Sequence, residues 1–147
     1  MTKRRLHVTL DFETRSHADI KKVGSWLYSR HPTTEVMCLQ YKINDGPLRL
    51  WHMGYDELFI EESAPPRELF DAIAAGATLE AHNALFEQSI WMNVCVPRMG
   101  WPLVKPRQWR CSAAKASAHA LPRALEDACM AMGLLTQKDM AGNKVMR

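Results

Sequence analysis

From Leu6 through Val8 and Leu10 to Phe12, apolar and polar residues alternate, and the run stops at Glu13. That period of two is the mark of a half-buried strand. A second strand is predicted over Glu35–Ile43, "EVMCLQYKI", where β-branched and aromatic residues run into "NDGP", a turn signature. "LRLWHM" follows directly and reads as a third strand. The three form an antiparallel start, with "NDGP" closing the hairpin between the second and third. Beyond the Pro65-Pro66 breaker the pattern becomes helical: in "RELFDAIAAG", Leu69, Phe70 and Ile73 share a face and Gly76 stands as a C-cap. "ATLEAH" is a short strand. "NALFEQSIWMNV" is a helix with Leu85, Ile90 and Val94 as its apolar positions and Asn83 as its N-cap. In "LPRALEDACMAMGL", Pro122 occupies an opening turn, Leu125, Cys129 and Met132 fall on one face, and Gly133 ends the helix. The order β-β-β-α-β-α followed by helices predicts an α/β fold with a mixed central sheet flanked by helices.

Composition fits one globular domain: 147 residues, 47% hydrophobic and 24% charged, without repeats or a linker. No apolar run reaches the roughly 18 to 20 residues of a membrane span, and acids sit where a signal peptide needs its apolar region, so a cytoplasmic, membrane-free protein is expected. Cys38, Cys95, Cys111 and Cys129 form no C-x-x-C pair and read as thiols. Charge is divided unevenly. Through Pro97 there are 10 Lys and Arg against 13 Asp and Glu, and from Arg98 onward 9 against 3. An acidic first part suits cations and a basic second part suits a polyanion. The tryptophans read as core, except that Trp109, between Arg107 and Arg110, is a candidate for stacking on a base. His82 reads as a hydrogen-bonded structural histidine.

The chemistry rests on three acids. Asp11 and Glu13, two apart on a strand, project from one face, and two carboxylates so close repel unless a cation lies between them. Alone, the D-x-E spacing equally describes a solvated strand end. Glu87 changes the balance, because it lies one helical turn after Asn83 in a helix that starts where a neighbouring strand ends. A site assembled from separated segments is then within reach of all three carboxylates, the oxygen donors that hard divalent ions prefer.

"LDFET" at Leu10–Thr14 resembles the first exonuclease motif, and "HNALFE" at His82–Glu87 the second, of the 3′–5′ proofreading domains of family A DNA polymerases, in the style of phages and prophages. Asn83, Phe86 and Glu87 match the second motif, and Trp109–Leu134 is similar to the segment that follows it: a short helix, a Leu-Pro turn and an amphipathic helix ending Gly-Leu. The resemblance implies a DEDD-type, ribonuclease H-like domain that hydrolyses phosphodiester bonds with two divalent ions, Mg2+ or Mn2+. It implies that Asp11 bridges both ions, Glu13 binds the one that activates water, and Glu87 supports the other. It implies contacts of Thr14 and Asn83 with the terminal nucleotide, with Phe12 or Phe86 packed behind the acids. The implied partners are a single-stranded DNA 3′ end and a polymerase domain of the same longer chain.

Two departures stand out. The second-motif acid is Glu87 rather than the commoner Asp. The third motif, Tyr, three residues, then Asp, is missing: Tyr28, Tyr41 and Tyr55 all precede Asn83, and the single acid after Asp127 is Asp139. Residues 1–147 are therefore expected to form one exonuclease-like domain, an N-terminal piece of a longer polymerase cut before its fourth carboxylate. Three functional readings follow: a 3′–5′ exonuclease acting on DNA, a nuclease-fold module that binds nucleic acid without cutting, and a related exoribonuclease.

Overall fold

The computed structural model describes residues 6–54 and 60–135. Five strands form one sheet: β1 (His7–Arg15), β2 (Glu35–Ile43), β3 (Leu48–His52), β4 (Thr78–Ala81) and β5 (Trp109–Cys111), in the order β3-β2-β1-β4-β5. β1, β2 and β3 pair antiparallel, and β4 and β5 add parallel to β1. The helices are α1 (Ile20–Arg30), α2 (Arg67–Ala74), α3 (Leu85–Ile90), α4 (Val96–Met99), α5 (Ser112–Ala118) and α6 (Leu125–Ala131). The expected α/β architecture, a mixed sheet with an antiparallel three-stranded start, is what the chain adopts, and it is consistent with a ribonuclease H-like fold. Among the described residues, no helix is long and apolar enough to cross a membrane.

The period of two in β1 sorts its side chains. Val8, Leu10 and Phe12 are buried on one face, leaving Thr9, Asp11 and Glu13 on the other. On the buried side, Trp101 is the centre of an aromatic cluster, with ring centroids 6.4 Å from Phe12, 5.2 Å from Trp51, 5.4 Å from Phe70 and 5.1 Å from Trp91. Edge-on and tilted contacts of this kind add to the area they bury. The buried Gln108, just before β5, holds the end of α2 and the turn into β4 by donating from Nε2 to the carbonyls of Ile73 and Ala77, both at 3.0 Å. Its Oε1 accepts from the Lys105 amide at 3.1 Å, so the group is satisfied where it is buried.

Several elements differ from expectation. α1 has no counterpart in the sequence reading. Gly24, at φ 76 and ψ 166, breaks it into two short helical pieces, so no sustained period announces it. Its Trp26 is half exposed, unlike the other four tryptophans, which are core. Trp109 is one of those four: it faces the Trp91 ring at 6.3 Å, and the proposed aromatic-cation surface is not formed there. β5 was also not anticipated, being only three residues long. The helix predicted from Asn83 is α3 followed by a π-helical turn, Trp91–Cys95, before α4. Ile90 and Val94 are buried as expected, whereas Leu85 is exposed. In α6, Ala128 is the buried position while Leu125 and Met132 lie exposed, because the short helix turns a small side chain inward. Asp139 lies outside the described residues.

Candidate metal and nucleic-acid site

Register decides where the acids stand. β4 pairs with β1 only over His7, Val8 and Thr9, so Asp11 and Glu13 extend past the carboxyl end of β4. There the chain turns through residues 82–84 into α3. On its other side β1 remains paired: Asp11 is opposite Gln40 and Glu13 opposite Cys38. Directly opposed residues of an antiparallel pair share a face, which puts the Cys38 thiol beside the Glu13 carboxylate. Just beyond, the register shifts between Glu13 and Thr14, a β-bulge that re-aims the end of the strand.

α3 brings Glu87 to this edge in its first turn. The side chain is 2% exposed and its Oε2 has no hydrogen-bond partner. Burial, reinforced by the negative fields of Asp11 and Cys111, pushes its carboxyl up to about 8. A buried oxygen without a partner costs free energy on the order of 1 to 3 kcal/mol, more if ionised, so the position is poised for a cation. Asp11 and Glu13 in turn act on Cys38, whose thiol is raised by burial first and by these two carboxylates second. The acids therefore lie within one another's electrostatic reach, with a cysteine on either side.

The second-motif turn is fixed by contacts distant in sequence. Asn83 adopts φ 68, the left-handed region that Asn tolerates better than most residues. The expected N-cap role is not realised: α3 is capped at Ala84 without a side-chain hydrogen bond, and the Asn83 carbonyl accepts from the Phe86 amide at 3.0 Å. Its side chain points instead toward Arg123, which donates to Asn83 Oδ1 at 3.2 Å. His82 is held at both ring nitrogens, by Ser112 Oγ at 2.9 Å and the Arg123 carbonyl at 2.8 Å, as a structural histidine is. Thr14 Oγ1 and Tyr28 Oη are 2.9 Å apart, and the Tyr28 ring lies 6.1 Å from the half-buried Phe86. Thr14, Tyr28 and Phe86 thus form a shelf joining β1, α1 and α3. Tyr28 was not among the sequence candidates, since its role depends on α1.

Two neighbouring features narrow what this edge can do. Glu80, on β4, is engaged by Lys115 at 2.6 Å and by His7 at 3.3 Å, which removes it as a further candidate ligand. A recess of about 490 Å3 lined by Thr34, Val36, Trp51, Met53 and Arg98 contains none of the three acids. Among the described residues, no three His, Cys, Asp or Glu side chains converge on one metal position. What fits a hard divalent ion here is the pair of carboxylates, Asp11 and Glu13, on one strand face, together with the orphaned Glu87 Oε2.

No family model matches the chain. A family B DNA polymerase of the hyperthermophilic archaeon Pyrobaculum calidifontis aligns with 73% of this chain and 13% of its own, at a TM-score of 0.44 and 16% identity. A DNA polymerase of Bacillus phage SP02 is 28% identical over 141 residues, which is 95% of this chain and 20% of that protein. The chain is homologous to a phage DNA polymerase and spans about a fifth of its length.

Proposed function

We propose that residues 1–147 form a metal-dependent 3′–5′ exonuclease domain associated with a DNA polymerase, in which Asp11, Glu13 and Glu87 hold two divalent ions, Mg2+ or Mn2+. The observation that carries the reading is Glu87: a buried carboxylate with an orphaned oxygen, delivered by α3 to the edge where β1 presents Asp11 and Glu13. A hydrophobic core has no use for such a group unless a cation completes it. Homology over 95% of the chain to a phage DNA polymerase supports DNA as the substrate.

When bound, the ions would supply hydroxide at neutral pH and neutralise charge on the leaving 3′ oxygen. The chain's own residues position the reaction. Asp11 and Glu13 hold their carboxylates on one strand face, rigidly set by pairing with β2. Burial of Glu87 keeps water away from its oxygens, so that its attraction for a bound cation would be weakly screened. The Thr14 hydroxyl, oriented by Tyr28, and the exposed Asn83, oriented by Arg123, stand at the rim as contacts for the terminal nucleotide, with Phe86 packed behind them. The open edge, outside the 490 Å3 recess, suits the end of a polymer better than an enclosed small molecule.

A second reading, a module that binds nucleic acid without cutting it, is favoured by the lack of a Tyr-x-x-x-Asp sequence within residues 88–147, the one such spacing in the given sequence being Tyr41–Asp45, ahead of Asn83. Single-stranded DNA and RNA labelled at the 5′ end, incubated with the chain and Mg2+ or Mn2+, separate these possibilities. The exonuclease reading expects stepwise shortening of DNA from its 3′ end, abolished in Asp11→Ala. Shortening that is unchanged in Asp11→Ala overturns the site assignment. Salt-sensitive binding with no shortening supports the binding module, and preferential shortening of RNA supports an exoribonuclease.

A further inference from the structure

Trp51, Trp91, Trp101 and Trp109 are buried, whereas Trp26 on α1 is 48% exposed. Leu27 beside it is 57% exposed and Val23 39%, so α1 turns a contiguous apolar patch outward. Its inner side is pinned. Ser29 Oγ donates to the Trp26 carbonyl and accepts from Asn93 Nδ2, both at 2.8 Å, and Thr34 Oγ1 donates to the Tyr28 carbonyl at 2.6 Å. Tyr28 meets Thr14 and Phe86, so the outer face is held in a fixed relation to the shelf at the acid edge. The same helix is locally basic within the acidic part of the chain. Lys21, Lys22 and Arg30 are exposed, and residues 20–30 contain no acid. Asp19, just ahead, serves the helix start, accepting from the Lys21 amide at 3.0 Å with Lys22 Nζ at 3.9 Å. At the other end Arg98 donates to the carbonyls of Thr34 at 2.7 Å and His31 at 3.2 Å, adding positive charge where α1 stops. Arg30, four residues after Trp26, shares its side of the helix, with Cζ 6.0 Å from the ring centre. That is beyond the roughly 3.5 to 4 Å of stacking contact, so a charge stands beside the ring while the ring stays half open to solvent.

An open aromatic ring bordered by cations on a rigid mount is the composition of a single-strand binding surface, on which bases stack while the phosphates follow the charge. We infer that the outer face of α1 binds single-stranded DNA, with one base stacked on Trp26, Leu27 packed beside it, and Arg30 and the lysines at the helix start meeting phosphates. The inference rests on the reading above that the acid edge works on DNA, and it extends the contact from the terminal nucleotide to nucleotides upstream of it. Trp26 and Tyr28 are two residues apart on one helix, so the outer face and the shelf are separated by about a helix diameter, 10 to 12 Å, which a few nucleotides cover. Every base has a π-face, so a surface of this kind holds the strand without reading its sequence. The stacking role assigned in sequence to Trp109 thus passes to Trp26, the ring that the fold leaves open.

Because the other four tryptophans are buried, intrinsic fluorescence reports on this face. The intact chain is titrated in EDTA with an oligothymidylate of about 16 nucleotides, the upper end of what one such surface tracks, and with an abasic oligonucleotide of the same length. Thymidylate is expected to quench the fluorescence and to bind more tightly than the abasic strand, which carries the same phosphates without bases. Trp26→Ala should remove the quenching and weaken thymidylate binding about five- to 150-fold, with abasic binding unchanged. Trp26→Phe, which keeps a ring, should recover most of the affinity. Thymidylate affinity unchanged in Trp26→Ala overturns the proposal and favours a protein partner at this face. Equal weakening for both strands overturns stacking as its basis. Should Trp26→Ala lose its native circular dichroism, the unmodified chain decides: equal affinity for the two strands without quenching overturns the proposal, and quenching with a preference for bases supports it. Asp11-dependent hydrolysis with thymidylate affinity unchanged in Trp26→Ala counts against this inference alone. Trp26-dependent binding without any Mg2+-dependent hydrolysis counts against the exonuclease reading alone.

Discussion

Glu87 concentrates the physical tension of the molecule in one side chain. Its carboxyl is raised from 4.5 to about 8, mainly by burial, so the folded state holds its proton more tightly than the unfolded chain does. The stability this contributes is complete below pH 4.5 and is lost as pH rises through about 8. In EDTA, thermal melting should therefore fall as pH rises across that window, and Glu87→Gln should flatten the dependence. Mg2+ should stabilise the chain more at the alkaline end, where the carboxylate is ionised, and melts with and without the ion at both ends check this. Asp11 and Glu13 were legible in sequence because period two alone puts them on one face. Glu87 was legible as an acid in a helix start, but its burial was not, since that depends on how far β4 extends beside β1. Asn83 was misread as a cap because its partner, Arg123, lies 40 residues away.

Among the elements, α1 and the aromatic cluster make opposite demands on the chain. Gly24 sits at φ 76, a conformation side chains resist, although no atom lies within 4 Å of where a Cβ would be. Gly24→Ala should cost about 1 to 2 kcal/mol through backbone strain alone. Because α1 carries Tyr28 against Thr14, that loss should be accompanied by a perturbed shelf, visible as altered hydrogen exchange at Thr14. Trp101→Ala removes the ring on which Phe12, Trp51, Phe70 and Trp91 converge and should cost about 3 to 5 kcal/mol, read as a lower urea midpoint. Met132→Ala on the exposed side of the chain should change stability by no more than about 0.5 kcal/mol. The long strands β1 and β2 and the hairpin were readable because their periodicity extends over many residues. α1 was hidden by its broken period and solvent-facing apolar residues, and β5 by its three-residue length. Trp109 was misplaced for a related reason: cations beside it in sequence say nothing about which face of β5 it occupies.

At the scale of the whole molecule, one mixed sheet gathers acids at the carboxyl ends of its parallel strands while positive charge accumulates after Arg98. That distribution fits a site in which cations meet carboxylates and a phosphate backbone meets arginines. Binding of single-stranded DNA should weaken as salt rises, and Arg110→Ala, which removes an exposed cation on β5 next to Cys111, should make the salt dependence shallower by about 0.7 in log-log slope. Unchanged slope would place the DNA elsewhere. The overall architecture followed from the order of periodic segments; that Asp11 and Glu13 extend past the carboxyl end of β4 required the register of β1 against β4. The central claim is that Asp11, Glu13 and Glu87 form one divalent-cation site, and titration of the intact chain with Mn2+, followed by loss of the free-ion electron paramagnetic resonance signal, addresses it most directly. The unmodified chain is expected to bind Mn2+ and Asp11→Ala to bind it at least about tenfold more weakly; equal binding by the two would contradict the account.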